Sequence, residues 1–236
     1  MLVLGIETST SRSSVALVDA DGVVASATLG VDRRHGEFVA PAIDFCLRQA
    51  SVTPGDLTGV AVGLGPGLYT GLRVGIATAQ TMAMACHLPA VGMSGLDVLA
   101  FQTRHTSGPI CAVIDAKRRE LFWAFYRPSP GGVQRDGDLS VGPLSALEAE
   151  IAAYGDHVLI VGEGGLLHRD HLAALDARVS GPEHAWPDAA VLAELAVPRF
   201  VREDTVRPGA LQPIYLRGAD AKIGWATRGK MFGGAA

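Results

Sequence analysis

The sequence predicts an α/β fold made of two similar halves, each a mixed sheet flanked by helices. Three observations carry this. Apolar runs of strand length alternate with segments of helical period along the 236 residues. The order β-β-β-α-β-α begins at residue 2 and restarts near residue 109, so the layout occurs twice. A composition of 48% hydrophobic and 19% charged residues supplies a core and excludes a disordered chain.

LVLGIE (2–7) reads as a buried strand and the polar run 8–14 as a turn. SVALVDA is the second strand, and Asp19-Ala20-Asp21-Gly22 turns the chain into VVASATL. Residues 37–50 set Val39, Ile43, Cys46, Leu47 and Ala50 at helical spacing, with Pro41 expected near the first turn. TGVAVGL (58–64) is a strand, 70–86 a helix, PAVGM a strand and 96–104 a helix. In the second half PICAVIDA (109–116) and ELFWAFY (120–126) are strands and RPSPGG is a turn. A helix at 145–154, the strand HVLIVG and a helix at 187–202 follow. The halves are expected at 1–106 and 107–217, divided near Thr106-Ser107-Gly108-Pro109, with a tail at 218–236.

A net charge of −4 excludes a nucleic-acid footprint spread over the whole chain and leaves room for a local basic patch. Cys46, Cys86 and Cys111 form neither a disulfide framework nor a metal spacing, and read as core thiols. The N-terminus has no positive n-region, and no run reaches ~18 apolar residues. The expectation is a soluble cytoplasmic protein with no membrane partner.

GLGPGLYTGLRVG (63–75) poses the main question. A glycine-rich loop between strand and helix can hold an anion on free N–H groups. Phosphate loops end in Gly-Lys-Ser/Thr, whereas this one ends Tyr69-Thr70-Gly71, with no lysine between 51 and 116. The G-x-G-x-x-G pattern fails at Leu68. A tight turn with Thr70 as N-cap is therefore expected. The helix that follows carries one charge, Arg73, and a small-residue stripe of Gly71, Gly75, Ala79 and Ala83. Either this helix is central to the core, or a second polypeptide covers the stripe. In the second case Ala79→Glu or Gly75→Arg breaks association and leaves the monomer folded.

Glu7-Thr8-Ser9 and Asp115 stand at matching strand ends of the two halves. Paired carboxylates there could hold a metal–phosphate complex, or be ordinary turn chemistry. His35 after Arg33-Arg34 is either structural or an anion contact. His168 and His171 are three residues apart and lack a third ligand nearby. No Gly-x-Ser-x-Gly occurs; Gly92-Met93-Ser94-Gly95 has the wrong spacing.

LVLGIETST, RRHGEFVAPAI, GLGPGLYTGLRVGIATAQ, DAKRRELFWAFY and PIYLR together resemble the TsaB (YeaZ) family, bacterial partners of TsaD in threonylcarbamoyladenosine synthesis on tRNA. The resemblance covers most of 1–126 and 213–217. Its core is GPG-x-x-TG-x-R-x-G, here Gly65, Pro66, Gly67, Thr70, Gly71, Arg73 and Gly75. It implies an actin/Hsp70/sugar-kinase (ASKHA) fold with two ribonuclease-H-like halves. It also implies a non-catalytic subunit with no catalytic residue and no metal. TsaD carries N-H-L-E-x-H where this chain reads Ser94-Gly95-Leu96-Asp97-Val98-Leu99, so Gly95 and Leu99 replace a metal-binding histidine pair.

The resemblance further implies pairing with TsaD, or with a second copy as a homodimer, through helices of the first half. The expected interface is Phe38, Pro41, Ala42, Phe45, Leu72, Gly75, Ile76, Ala79, Met82 and Ala83. The ATPase TsaE would join the larger complex, and adenosine 37 of tRNAs reading codons that begin with A would be reached only indirectly. The chain alone would bind no cofactor, with ATP or ADP confined to the assembled complex. Glu7, Thr8, Ser9, Asp115, Gly162 and Gly164 would be a vestigial nucleotide site. Leu68, Tyr69 and Gly36 depart from residues common in the family, and 133–208 matches little. Two alternatives are an ATP-hydrolysing enzyme using Glu7 and Asp115, and a metallopeptidase-like protein, which the missing histidine pair disfavours.

Overall fold

The computed structural model describes residues 1–30, 34–155 and 157–216. Arg33, Arg217 and the tail 218–236 lie outside them. The first half runs β1 Val3–Glu7, β2 Ser13–Asp19, β3 Gly22–Leu29, α1 His35–Gln49, β4 Gly59–Gly63, α2 Tyr69–Ala85, β5 Ala90–Met93 and α3 Gly95–Gln102. The second runs β6 Ile110–Lys117, β7 Glu120–Ser129, β8 Gly132–Pro143, α4 Leu144–Tyr154, β9 Leu159–Val161, α5 Glu163–Leu167, α6 Arg169–Ala173, β10 Arg178–Val179 and α7 Ala189–Val201.

Each half is a five-stranded sheet, ordered β3-β2-β1-β4-β5 and β8-β7-β6-β9-β10. In both, the first strand pairs antiparallel with the second and parallel with the fourth. The order and strand directions are the same, so the duplication read from the sequence is real, and each half is ribonuclease-H-like. β1 and β4 are buried along their whole length, as unbroken apolar runs require of central strands. β3 lies at an edge, with Val23 and Val24 exposed.

Helices cover both faces of each sheet. α1 and α2 cover one face of the first, packing Val39, Ile43, Cys46, Ile76, Ala79 and Ala83 on Leu4, Ile6, Val60 and Val62. α7, although it comes last, covers the other face with Ala189, Leu192, Ala193 and Phe200 on Val3, Ala61 and Val91. α3 covers the second sheet through Leu96, Leu99 and Ala100. Leu147 and Ile151 of α4, with Leu172 of α6, pack on its opposite face. The helices therefore interlock the two sheets: α3 precedes the sheet it covers, and α7 returns to the first. Asp97 fixes that crossing, accepting hydrogen bonds from Tyr126 at 2.8 Å and from Arg135 at 3.0 Å.

Local expectations met three corrections. α1 starts at His35, so Pro41 sits in its second turn, on the exposed side. Leu68 occupies the N-cap of α2, and Thr70 lies exposed in the first turn without capping it. The RPSPGG turn narrows to Pro130-Gly131: β7 runs on to Ser129 and pairs across that turn with β8, a strand that no apolar run marked. Its residues 134–138 are all exposed, so the edge strand shows no apolar alternation. Cys46 and Cys111 are buried free thiols, and Cys86 is partly buried. Among the described residues no helix is long and apolar enough to cross a membrane.

Candidate functional site

The glycines of 65–75 exist because two pieces of backbone cross. β1 ends at Glu7, and the turn that follows presents the carbonyls of Thr8 and Ser9. Leu68 donates its N–H to the Ser9 carbonyl at 2.7 Å. A Cβ added at Gly67 would run into that same carbonyl, and one at Gly71 into the Thr8 carbonyl. At Gly75 it would strike the Thr8 hydroxyl, which itself donates to the Gly71 carbonyl at 2.8 Å. Glycines 67, 71 and 75 are thus a close-approach stripe against the chain's own β1–β2 turn. The glycines of 63–75 are neither a phosphate loop nor a stripe kept free for a partner.

This corrects the expected interface. Leu72, Gly75, Ile76, Ala79 and Ala83 are buried by the first sheet, as is Ala42 of α1. Of the expected set only Phe38, Pro41, Phe45 and Met82 reach the surface. The outward side of α2 is instead Tyr69, Arg73, Ala77, Thr81 and Met84, with Tyr69 and Met84 each 55% exposed. The Arg73 guanidinium lies 3.9 Å above the Tyr69 ring, a cation–π pair that leaves the helix face amphipathic. Between α1 and the edge strand β3, Ala27, Leu29, Phe38, Pro41, Ala42 and Phe45 line a groove of about 490 Å³, with Arg34 and Glu37 among its lining residues. Helical spacing contained Tyr69, Arg73, Ala77 and Thr81 as an i, i+4 row, but the glycine row is equally regular and drew the assignment.

A second feature lies at the seam between halves. Glu7 is 1% exposed. Its Oε1 accepts from the Ser9 N–H at 2.6 Å, while Oε2 packs on Gly63 without a hydrogen-bond partner among the described residues. Burial pushes its pKa up to about 7, against the lowering effect of Ser9. The hydroxyl of Ser9 is also buried and unpaired among the described residues. Across the seam, Glu163 accepts from Ser11 at 3.3 Å and from the Trp186 indole at 2.9 Å, and Arg12 stacks over the Trp186 ring. The halves therefore meet through Ser11, Arg12, Glu163 and Trp186, residues that no motif had marked.

The six residues of the expected nucleotide site do flank this seam, but they do not fit a phosphate. On the first half the Thr8–Ser9 backbone is covered by 67–71. On the second, Gly162 and Gly164 are glycines because α5 packs on the backbone of Val113–Asp115. Asp115 is engaged with Lys117 at 2.8 Å. His35 is structural: it is buried and shares a 2.6 Å hydrogen bond with the Ser13 hydroxyl. Among the described residues no three His, Cys, Asp or Glu side chains cluster as a metal site. A Cβ at Gly95 would stand 3.1 Å from the Ser9 hydroxyl and 3.6 Å from Ile114, and Leu99 is fully buried in the second core. Neither position has room for an imidazole that reaches a ligand.

A family model described as "TsaD: tRNA N6-adenosine threonylcarbamoyltransferase" matches residues 15–135. The tRNA threonylcarbamoyladenosine biosynthesis protein TsaB of Bacillus subtilis is 33% identical over 131 residues, covering 56% of this chain and 57% of that one. The protein of the same name in Escherichia coli is 29% identical over 221 residues, covering 92% and 95%. YeaZ from Pseudomonas aeruginosa superimposes with a TM-score of 0.77 at 25% identity, over 91% of this chain and 99% of that one.

The chain belongs to the TsaB/YeaZ family. The family acts in threonylcarbamoyladenosine biosynthesis on tRNA, alongside TsaD-type proteins. The match to a TsaD model over residues 15–135 fits a paralogue, one that has Gly95 and Leu99 in α3. In TsaB/YeaZ terms, the 65–75 signature is therefore a folding element.

Proposed function

We propose that this chain is a non-catalytic subunit that docks on a TsaD-type partner and supports threonylcarbamoyl transfer to tRNA. The observation that carries it is the outward face of α1 and α2. Phe45 is 44% exposed, Tyr69 and Met84 are 55% exposed, and Phe45 lines an apolar groove between α1 and β3. Both helices pack on one face of the first sheet and against each other, so their outward residues are rigidly held. Large apolar side chains gathered on one face mark an interaction site. Binding one conformation of the partner more tightly than another would shift its population. ATP or ADP would then belong to the assembled complex, because the β1–β2 turn is filled by the chain itself. The tRNA-modifying role accords with a cytoplasmic location.

Phe45→Glu and Met84→Glu are expected to weaken association with the partner at least tenfold. Thermal stability should stay within about 1 kcal/mol, since both residues are largely exposed. Co-elution on size-exclusion chromatography and a parallel melt measure the two effects. Co-elution of both variants at wild-type affinity overturns this docking face; if they lose self-association instead, the occupant is a second copy. Reconstituted transfer that reaches completion without the chain removes the subunit role.

A further inference from the structure

The β1–β2 turn accounts for the glycines of the 65–75 signature but not for Thr70 and Arg73, which lie exposed on α2. Arg73 is the one charged residue of that helix. Its guanidinium sits 3.9 Å from the centre of the Tyr69 ring, and that ring meets Tyr215 with centroids 6.0 Å apart. Tyr215 belongs to a segment fastened on both sides of it. Leu211 is buried in the first core, and its carbonyl accepts from the Gln80 side chain at 3.1 Å. Ile214 donates its N–H to the Leu64 carbonyl at 2.8 Å, and Leu216 packs on the apolar cluster of the second sheet. Arg73, Tyr69 and Tyr215 are thus a stack set in place before any partner arrives, which lowers the ordering cost of binding.

A guanidinium held by stacking keeps its N–H donors along its edge. Those of Arg73 find no acceptor among the described residues, and neither tyrosine hydroxyl has a hydrogen-bond partner there. α2 itself carries no carboxylate, and Asp44 of α1 is paired with Arg48 at 2.9 Å. A planar fork with free donors matches a carboxylate, which it can hold bidentately. Tyrosine and arginine are also among the residue types that carry most of the energy where protein surfaces meet.

We propose that Arg73, steadied by Tyr69 and Tyr215, receives a carboxylate of the docked protein partner, and that this contact selects a different protein over a second copy of the chain. The proposal rests on the docking reading above and adds the chemistry of the segment that docks: an acidic side chain set among apolar ones. A second copy that met α2 with α2 would bring another arginine and no acid, so like charges would oppose the contact. A phosphate backbone calls for several cations along its path. Arg73 is the single cation of α2, and Glu37 and Asp44 stand exposed on α1, the helix packed against it.

The test is calorimetric titration of the full chain with a purified TsaD-type partner at several salt concentrations, with self-association followed by analytical ultracentrifugation. Arg73→Glu is expected to weaken partner binding at least tenfold, and Arg73→Gln about threefold to tenfold. Wild-type affinity should fall as salt rises, and the dependence should flatten in Arg73→Gln. Arg73→Lys, which keeps the charge and loses the fork, should bind less tightly than wild type and keep the salt dependence. Tyr215→Ala should weaken binding about threefold, while Tyr215→Phe, which keeps the ring, should match wild type. Arg73→Gln should self-associate at least as well as wild type. The proposal is overturned if Arg73→Glu keeps wild-type partner affinity. It is overturned as well if Arg73→Gln loses self-association or binding to a labelled tRNA while partner affinity is unchanged. Phe45→Glu and Met84→Glu separate the two readings. If they weaken association and Arg73→Glu does not, the docking face stands and the carboxylate contact falls; if none of the three does, the docking reading falls. Parallel melts check that each variant is folded, and Arg73→Lys with Tyr215→Ala carries the test if Arg73→Glu is not.

Discussion

Ala79→Glu and Gly75→Arg should each leave little or no folded monomer. Ala79 is fully buried among Leu4, Ile6, Val62 and Ile76 in the core of the first sheet. A carboxylate placed there has no partner, and an unpaired buried charge costs roughly 3–5 kcal/mol. That is a large part of the ~5–15 kcal/mol that holds a domain together. At Gly75 the first added carbon already strikes the Thr8 hydroxyl, so arginine must force α2 away from β1. Ala77→Glu is the matched control. Ala77 is exposed two residues from Ala79, and a surface substitution there should change stability by no more than about 0.5 kcal/mol. Urea unfolding followed by circular dichroism separates the three variants. A wild-type midpoint for Ala79→Glu would mean that the small-residue stripe faces outward after all.

Glu7→Gln should remove a loss of stability that the protein otherwise suffers as pH rises from about 4.5 to about 7. Burial raises the Glu7 pKa from 4.5 to about 7, with Asp188 adding a smaller push. Between those two values the native state keeps a proton that the unfolded chain has released. The contribution of Glu7 is then complete below pH 4.5, declines as pH climbs through 7, and is flat above that. A shift of this size corresponds to about 3 kcal/mol as an order of magnitude. Glutamine keeps the oxygen that accepts from the Ser9 N–H and carries no charge. The gap between variant and wild type should therefore open from about pH 4.5 to about pH 7. Burial also raises Glu163, but that contribution is common to both proteins and cancels in the difference. Parallel stability curves across this range would show that Glu7 is already ionised in the native state.

Particular residues show where sequence reasoning reached and where it stopped. The apolar runs of β1, β4 and β6 named the central strands, because a strand covered on both faces has no polar positions to spare. The Asp19-Ala20-Asp21-Gly22 hairpin was legible from turn chemistry: Gly22 takes φ 123°, and Asp21 donates its N–H to the Asp19 side chain. β8 was not legible, since an exposed edge strand leaves no periodic trace. Glu163, Trp186 and Arg12 were missed for a different reason. They come together from three distant segments, and each alone is an ordinary surface residue.

Periodicity, turn residues and a repeated order determined the two-sheet fold of this chain, because burial demands are written locally at every second or fourth position. The face that meets a partner was decided only in three dimensions. A row of glycine and alanine states that another backbone comes close, but it is silent on whose backbone that is. Here the chain's own Thr8–Ser9 turn takes that place, so the outward face passes to Tyr69, Arg73 and Met84.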